Sequence, residues 1–132
     1  MPKTFFIAEL GINHEGCMST CKKMIDKAKS AGADAVKLQT FNPSEHYLPN
    51  TKSFKAFEKN MFNFEQIESV FNYAKKKNIK IFSTCGDKKT IDFIDKFNPY
   101  AFKVSSGMLE HFPLLGYLCK KKKRTNYFNW YV

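Results

Sequence analysis

Charged and hydroxyl side chains lie at the ends of four apolar segments of this 132-residue chain. Two of them are lysines, Lys37 and Lys103, each inside an otherwise apolar stretch. Burying a lysine without a partner is costly, so each requires an anion or an open cavity. Two ammonium groups with hydroxyls beside them suit a small polyanion, such as a phosphate or a carboxylate. The candidate site residues are Glu9, Lys37, Gln39, Ser83, Thr84, Lys103, Ser105 and Ser106.

A second interpretation of the two lysines is structural. Each could pair with an internal carboxylate, of which Glu9 is the obvious one. Side chains two residues apart on a strand share a face, which places Gln39 beside Lys37 and Ser105 beside Lys103. The residue pattern by itself leaves both the anion site and the internal ion pair open.

The four apolar segments are typical of β-strands, each followed by a helical pattern of apolar residues. The first is expected to be buried on both faces. Its following loop carries Asn13 and His14, which either bind a ligand or cap a turn. Four βα units without a hairpin signal predict an α/β fold with a parallel sheet. That sheet is either open and doubly wound or part of a (β/α)8 barrel, which needs ~250 residues when complete. The predicted strands are residues 5–9, 33–39, 80–83 and 100–105.

Helix boundaries follow from residues that favour them. Ser19, Asn63 and Asp87 are candidate N-caps, Gly32 fits the position after the first helix, and Pro113 opens the last one. The segment 40–63 is long for a connection in a compact domain, and it contains prolines and several aromatic residues. Such a segment is typical of a lid or binding loop, the alternative being a mobile insertion without chemical importance.

Composition narrows the class of protein. The net charge of +10 is partly due to one basic block at 120–124, and the other lysines fall on helix patterns as solvated faces. No apolar run approaches ~18 residues and no signal peptide is evident, so a cytoplasmic location is expected. The four cysteines do not form a disulfide framework. Cys17 and Cys21 are spaced as half a zinc site, but no second close pair follows.

Three motifs resemble the sialic acid synthase family, which includes N-acetylneuraminate, legionaminate and pseudaminate synthases. The resemblance covers about residues 4–119, and the first motif together with the second is highly specific. The motifs are IAELGINHEG at 7–16, AGADAVKLQTF at 31–41 and AFKVSSG at 101–107.

The resemblance implies that residues 1–119 are the N-terminal (β/α)4 half of a TIM (β/α)8 barrel. It implies an enzyme that condenses phosphoenolpyruvate with an N-acylated amino sugar to a nonulosonic acid and releases phosphate. C3 of the enol attacks the sugar aldehyde, which a divalent metal, Mn or Mg, polarises. Water adds at C2, and phosphate leaves a tetrahedral intermediate. Such enzymes are homodimeric, and neither a nucleic acid nor a membrane is an expected partner.

Matching positions suggest a role for each site residue. The resemblance implies that Glu9 handles a proton or orients the water near C2, and that Gln39 lines the substrate pocket. The phosphate and carboxylate of phosphoenolpyruvate are expected to be held by Lys37, Thr84, Lys103 and Ser106.

The chain departs from the family pattern in several places. Residues 84–86 read Thr-Cys-Gly where the family has Thr-Pro-Phe, and Met108 stands where an acidic residue is usual. In the family a second half-barrel carries two metal-binding histidines, and a C-terminal domain adds an arginine to a partner's site. The histidines of this chain are not at those positions, so the fragment alone is expected to lack activity. They are His14, His46 and His111.

The tail at 120–132 does not continue the family pattern, and residues 124–132 show neither the apolar pattern of a helix nor that of a strand. The family would have an apolar fifth strand ending in Ser-Thr-Gly-Met-Ser. Back-translated with allowed codons and shifted by one base, residues 124–132 read Glu-Leu-Ile-Ile-Ser-Thr-Gly-Met. The four lysines before them imply an adenine-rich tract where a reading frame can slip. A frameshifted, truncated synthase is therefore expected, the alternative being a genuine short protein with a basic tail.

Two further functions stay open at this point. One is an inactive remnant or a basic protein that binds nucleic acid through the block at 120–124. The other is a different phosphate-binding barrel, such as a sugar-phosphate aldolase.

The frameshift hypothesis predicts the DNA that follows the lysine codons. Sequencing the gene should show the shifted frame running on into a second half-barrel that contains histidines. A stop codon soon after the shift would refute the hypothesis.

Overall fold

The computed structural model describes residues 4–121 and, as backbone, residues 125–127. These residues form a sheet of five parallel strands in the order β1-β2-β3-β4-β5. The parallel α/β architecture expected from the sequence is confirmed. The strands are β1 (Ile7–Gly11), β2 (Ala35–Thr40), β3 (Lys80–Cys85), β4 (Phe102–Val104) and β5 (Thr125–Tyr127). The helices are α1 (Met18–Ser30), α2 (Lys52–Asn60), α3 (Phe64–Lys76), α4 (Lys88–Asp95) and α5 (Phe112–Cys119).

Alternation along the strands separates two faces of the sheet. The outer face carries residues such as Leu38 and Phe102, which join the helices in the main core. The inner face carries a second, smaller group of buried residues, Ala35, Phe82 and Ala101. Since side chains two residues apart share a face, positions 37, 39, 84 and 103 lie on the inner face.

Capping side chains define the starts of α3 and α4 as the sequence predicts. Asn63 and Gln66 form a reciprocal capping box at the start of α3, and Asp87 accepts the Thr90 N–H at the start of α4. Gly32 follows α1 at a φ of +86°, as expected for the residue after a helix. No helix among the described residues has the length and apolar character needed to span a bilayer.

Two helix predictions need correction. The cap position of α1 is Cys17, not Ser19, and its side chain makes no capping hydrogen bond. At α5 the cap is His111, whose Nδ1 accepts the Leu114 N–H, and Pro113 is the second helical residue. The sequence predicts these starts one or two residues late, because serine and proline are favoured at helix starts more strongly than cysteine and histidine.

The first strand differs from its prediction in position and in burial. It begins at Ile7 and continues to Gly11, and Phe6 and Ile7 are 64% and 43% exposed. The expectation of burial on both faces is wrong: Leu10 is buried on the face that packs against the helices, whereas Ile7 and Glu9, on the other face of β1, are exposed.

The segment 40–63 is not a structureless loop. It contains a short 3₁₀ turn at Pro43–Glu45 and the helix α2, which Thr51 caps by accepting the Phe54 N–H. Phe54 is buried. The aromatic residues Phe41, Tyr47 and Phe57 pack against one another within the segment.

The tail also differs from the expectation, since residues Thr125–Tyr127 pair in parallel with β4. Pairing of backbone groups along a strand edge requires no apolar pattern, which is why the sequence shows no strand signal here. The other residues of the predicted out-of-frame tail, 122–124 and 128–132, lie outside the described residues. Within the basic block, Lys121 forms ion pairs with Asp92 at 2.5 Å and Asp95 at 3.5 Å on α4.

An irregularity in β1 shapes the end of that strand. The register between β1 and β2 shifts between Glu9 and Gly11, and Gly11 has a φ of +53°. A β carbon at position 11 would stand 3.2 Å from Glu9 Oε1 and 3.4 Å from Gln39 Oε1. Gly11 is therefore required both by the backbone conformation and by the two side chains beside it.

His14 caps a turn instead of facing a ligand. It is 1% exposed, its ring stacks on Phe62 at 3.8 Å, and its Nδ1 accepts the Gly16 N–H. Burial lowers the pKa of His14 below 6.5, partly opposed by a backbone hydrogen bond with Gly11. Of the two roles left open for His14, the structure shows the structural one.

We expect the folded chain to lose stability as the pH falls below about 6.5. Because burial lowers the pKa of His14 in the folded chain, the unfolded chain binds more protons in this window. The free energy of unfolding then falls by up to about 1.4 kcal/mol per pH unit. Chemical denaturation at pH 7.5 and pH 5.5 measures the loss. His14→Phe should reduce the difference between the two pH values, and an unchanged difference would contradict this origin.

Gly11→Ala should destabilise the chain by about 1–2 kcal/mol, since alanine is strained at positive φ and its methyl group would press on Glu9 and Gln39. Chemical denaturation measures the change. Gly116→Ala is the matched control: Gly116 lies inside α5, has nothing within 4 Å of an added β carbon, and should gain about 0.5–1 kcal/mol. Equal effects at both positions would refute the strain argument.

Candidate active site

An ion pair between a buried lysine and a half-exposed glutamate lies on the inner face. Lys37 Nζ lies 2.7 Å from Glu9 Oε2 and donates a hydrogen bond to Thr84 Oγ1 at 3.0 Å. The strand register explains the contact, because Glu9 is paired with Lys37 across β1 and β2. Thr84 stands on β3, level with Gln39. Pairing of a lysine with Glu9, the structural alternative, is therefore what the structure shows for Lys37.

Exposure is unequal within this group. Lys37 is only 8% exposed, whereas the Glu9 side chain is 51% exposed. An ammonium group buried to this extent depends on its partners, while the carboxylate end of the pair is open to solvent. The pair therefore has a side that a dissolved molecule can approach.

Lys103 stands on the same face, with β3 between it and Lys37. Its backbone partner across β3 and β4 is Thr84. Burial lowers the pKa of Lys103, the positive charge of Lys37 lowers it further, and the negative charge of Glu9 opposes both. Lys103 therefore lies close enough to Lys37 and Glu9 for their charges to act on it.

Gln39 and Gly11 complete the part of the group next to β1. Gln39 is half-buried, and its side-chain oxygen approaches Gly11, as does the Glu9 carboxylate. Gly11 was not among the residues predicted for the site. A glycine directly after an apolar strand is the signal that points to such a backbone position.

Ser83 does not belong to the group. It is fully buried on the outer face, where its hydroxyl donates to the Leu38 carbonyl and contacts Thr40 Oγ1 at 2.8 Å. Its prediction as a substrate-binding residue is corrected: with Thr84 facing inward, strand alternation directs Ser83 to the opposite face.

Ser105 and Ser106 follow β4 at its carboxyl end and are half-buried. Ser105 precedes a 3₁₀ turn at Ser106–Met108 and makes no side-chain capping bond there. Met108, which stands where an acidic residue was expected, packs against the main core. A carboxylate at that position would therefore meet apolar neighbours in this chain.

The histidines do not assemble a metal centre. Among residues 4–121, no three His, Cys, Asp or Glu side chains come together in a way that could hold a metal ion. His14 is stacked in the core, His111 caps α5, and His46 packs edge-on against Phe41. Donors for the expected divalent metal are thus not provided by the described part of this chain.

Comparison with known proteins identifies the family. The model of the NeuB family matches residues 24–126. A protein named MJ1065 from Methanocaldococcus jannaschii is 35% identical over 120 residues, covering 91% of this chain and 36% of that protein. The pseudaminic acid synthase of Campylobacter jejuni is 31% identical over 137 residues, covering 93% of this chain and 40% of the enzyme. The chain thus spans between about a third and two fifths of the length of these relatives.

Solved structures agree with the sequence comparison. The N-acetylneuraminic acid synthetase of Leptospira borgpetersenii, in complex with citrate, matches with a TM-score of 0.91 and 25% identity. The match covers 96% of this chain and 44% of that chain. The spore coat protein SpsE of Bacillus subtilis matches with a TM-score of 0.79 and 33% identity, covering 95% of this chain and 36% of SpsE. The fold is half of the TIM barrel of sialic acid synthases, and the chain belongs to the NeuB family.

Proposed function

We propose that this chain provides the phosphoenolpyruvate-binding half of a nonulosonic acid synthase. The observation that carries the proposal is the group of Glu9, Lys37 and Thr84 beside Lys103 on the inner face of the sheet. Parallel α/β proteins bind ligands at the carboxyl ends of their strands, where these residues stand. The family membership supports the same reaction class.

Charge complementarity supports phosphoenolpyruvate as the ligand. Its phosphate and carboxylate need at least two cationic partners, and Lys37 and Lys103 supply them across β3. Thr84, between the two lysines, accepts a hydrogen bond from Lys37 and keeps its own hydroxyl hydrogen, which can donate to a phosphate oxygen. The half-buried Ser105 and Ser106 are the other hydroxyls at this end of β4.

Glu9 takes the role that needs a carboxylate open to solvent. In the proposed reaction, C3 of phosphoenolpyruvate bonds to the aldehyde carbon of the amino sugar, and C2 becomes electron-poor. The former aldehyde oxygen takes up a proton and becomes a hydroxyl. A water oxygen bonds to C2 and one of its protons passes to a base. The bond from C2 to the phosphate oxygen then breaks, phosphate leaves with the bonding electrons, and the new C2 hydroxyl loses its proton to become a carbonyl. Glu9 is half-exposed and fixed by Lys37, so it can orient that water and accept its proton.

The divalent metal of the family has no part in the steps proposed for the residues of this chain. The described residues offer it no set of ligands, and the aldehyde that it would polarise belongs to the second substrate. The residues of this chain act on the enol substrate and on the attacking water.

Binding of nucleic acid through the basic block is less well supported. Lys121 of that block is paired with two carboxylates of α4 and is therefore less available to phosphate groups. A sugar-phosphate aldolase shares the anion site but requires no enol substrate, so the binding of phosphoenolpyruvate discriminates between the two.

Lys37→Ala and Lys103→Ala should each weaken phosphoenolpyruvate binding by about ten- to a hundredfold. Each change removes a hydrogen bond from a charged donor, which contributes about 1.5–3 kcal/mol. Isothermal titration calorimetry at fixed salt measures the dissociation constants. Binding can be tested on this chain without requiring turnover.

Lys76→Ala is the control for net charge, because Lys76 is exposed on α3 and belongs to neither face of the sheet. It should leave the affinity within a factor of two. Failure of the wild-type chain to bind phosphoenolpyruvate at millimolar concentration, or equal weakening in all three variants, would contradict the proposal.

A further inference from the structure

A cluster of aromatic rings lies between the end of β2 and α2, in the segment that follows the carboxyl end of β2. We propose that this cluster, formed by Phe41, His46, Tyr47 and Phe57, is the wall against which the acceptor sugar packs. The inference rests on the proposed function, because it names the residues that select the second substrate.

Strand alternation places the base of the cluster. Phe41 comes two residues after Gln39 and Gly86 comes two residues after Thr84, so continuing the alternation directs both positions to the inner face. Two residues along a strand correspond to roughly 7 Å. Phe41 and Gly86 therefore occupy the next level above Gln39 and Thr84, towards the open end of the sheet.

The rings form a connected group. Tyr47 and Phe57 stack with centroids 5.2 Å apart, and Phe41 lies 5.0 Å from Phe57 and 6.2 Å from Tyr47. The His46 ring meets Phe41 edge-on at 4.9 Å. These four residues are half-buried. Part of the ring surface thus stays available, in contrast to the fully buried rings of the core.

Gly86 allows the cluster to reach the sheet. A β carbon at position 86 would lie 2.6 Å from His46 Cε1 and 3.0 Å from Phe41 Cβ. The imidazole thus fills the space that a side chain at position 86 would need. The segment that carries it, between β2 and α2, is held against the end of β3 by this contact.

The position of the His46 imidazole is energetically unfavourable. His46 Nε2 is buried and has no hydrogen-bond partner among the residues that the structure describes. Such a buried polar atom is unfavourable, and a phenylalanine would fill the space without that penalty. Packing alone does not explain a histidine here, which supports a role for this segment in binding.

The kinds of ligand group that would bind follow from the side chains at two levels of the inner face, the lower at Gln39 and Thr84 and the upper at Phe41 and Gly86. The lower level holds cationic and hydroxyl groups and suits the phosphate and carboxylate of the enol substrate. The upper level offers aromatic faces, which suit the C–H face and the N-acyl methyl group of an amino sugar. The aldehyde carbon would then lie between the levels, next to C3 of the bound enol.

Phe41→Leu and Tyr47→Leu test the wall, because both keep apolar volume and remove a ring face. Nuclear magnetic resonance titration measures two affinities for each variant, first for phosphoenolpyruvate and then for N-acetylmannosamine in its presence. The expected result is a fivefold or greater loss of sugar affinity, with phosphoenolpyruvate affinity within a factor of two. Gly86→Ala, which displaces His46, should give the same separation of effects.

Phe93→Leu is the matched control, since Phe93 stacks on Phe64 at 4.1 Å among the helices of the outer face. It should change neither affinity. Unchanged sugar affinity in the wall variants, a parallel loss of both affinities, or no sugar binding by a wild-type chain that binds phosphoenolpyruvate would each overturn this inference alone. A wild-type chain that binds no phosphoenolpyruvate would overturn the proposed function and this inference with it.

Discussion

The structure depends on an ammonium group that is buried in the sheet and held by one carboxylate and one hydroxyl. Lys37 is 8% exposed, and without Glu9 and Thr84 its buried charge would have no partner and would destabilise the folded chain. Lys37 and its two partners come from three neighbouring strands. The sheet therefore has to be assembled in register before the buried charge has its ion pair and hydrogen bond. The same contacts that stabilise the lysine hold the carboxylate at the solvent side, in the position that the proposed chemistry requires.

The two faces of the sheet carry different kinds of side chain around the Glu9–Lys37 ion pair. The outer face packs against the helices and forms the main core. The inner face carries the buried group of Ala35, Phe82 and Ala101, then charged and hydroxyl side chains, and aromatic rings towards the open end. Gly11 and Gly86 each keep a side chain out of this face, where a β carbon would press on Glu9 or on His46. Two glycines thus shape the site as much as the charged residues do.

Misplaced predictions have specific physical causes. Ser83 is polar and adjacent to Thr84, but strand alternation turns it into the core, where it bonds to backbone and Thr40. The segment 40–63 has no simple apolar period, and its helix α2 is stabilised by a threonine cap and one buried phenylalanine. Residues 125–127 pair with β4 through backbone groups, which leave no trace in the side-chain pattern.

The sequence by itself determined the four βα units, the parallel sheet and the residues that carry charge on the strands, because apolar periodicity is a local property of the chain. Three motifs, at 7–16, 31–41 and 101–107, carried the resemblance to the family. Only the tertiary structure decided which lysine pairs with Glu9, which serine faces the core and where the His46 ring lies. Those outcomes depend on strand register and on contacts between residues far apart in the sequence, and no local pattern encodes a distance between two strands.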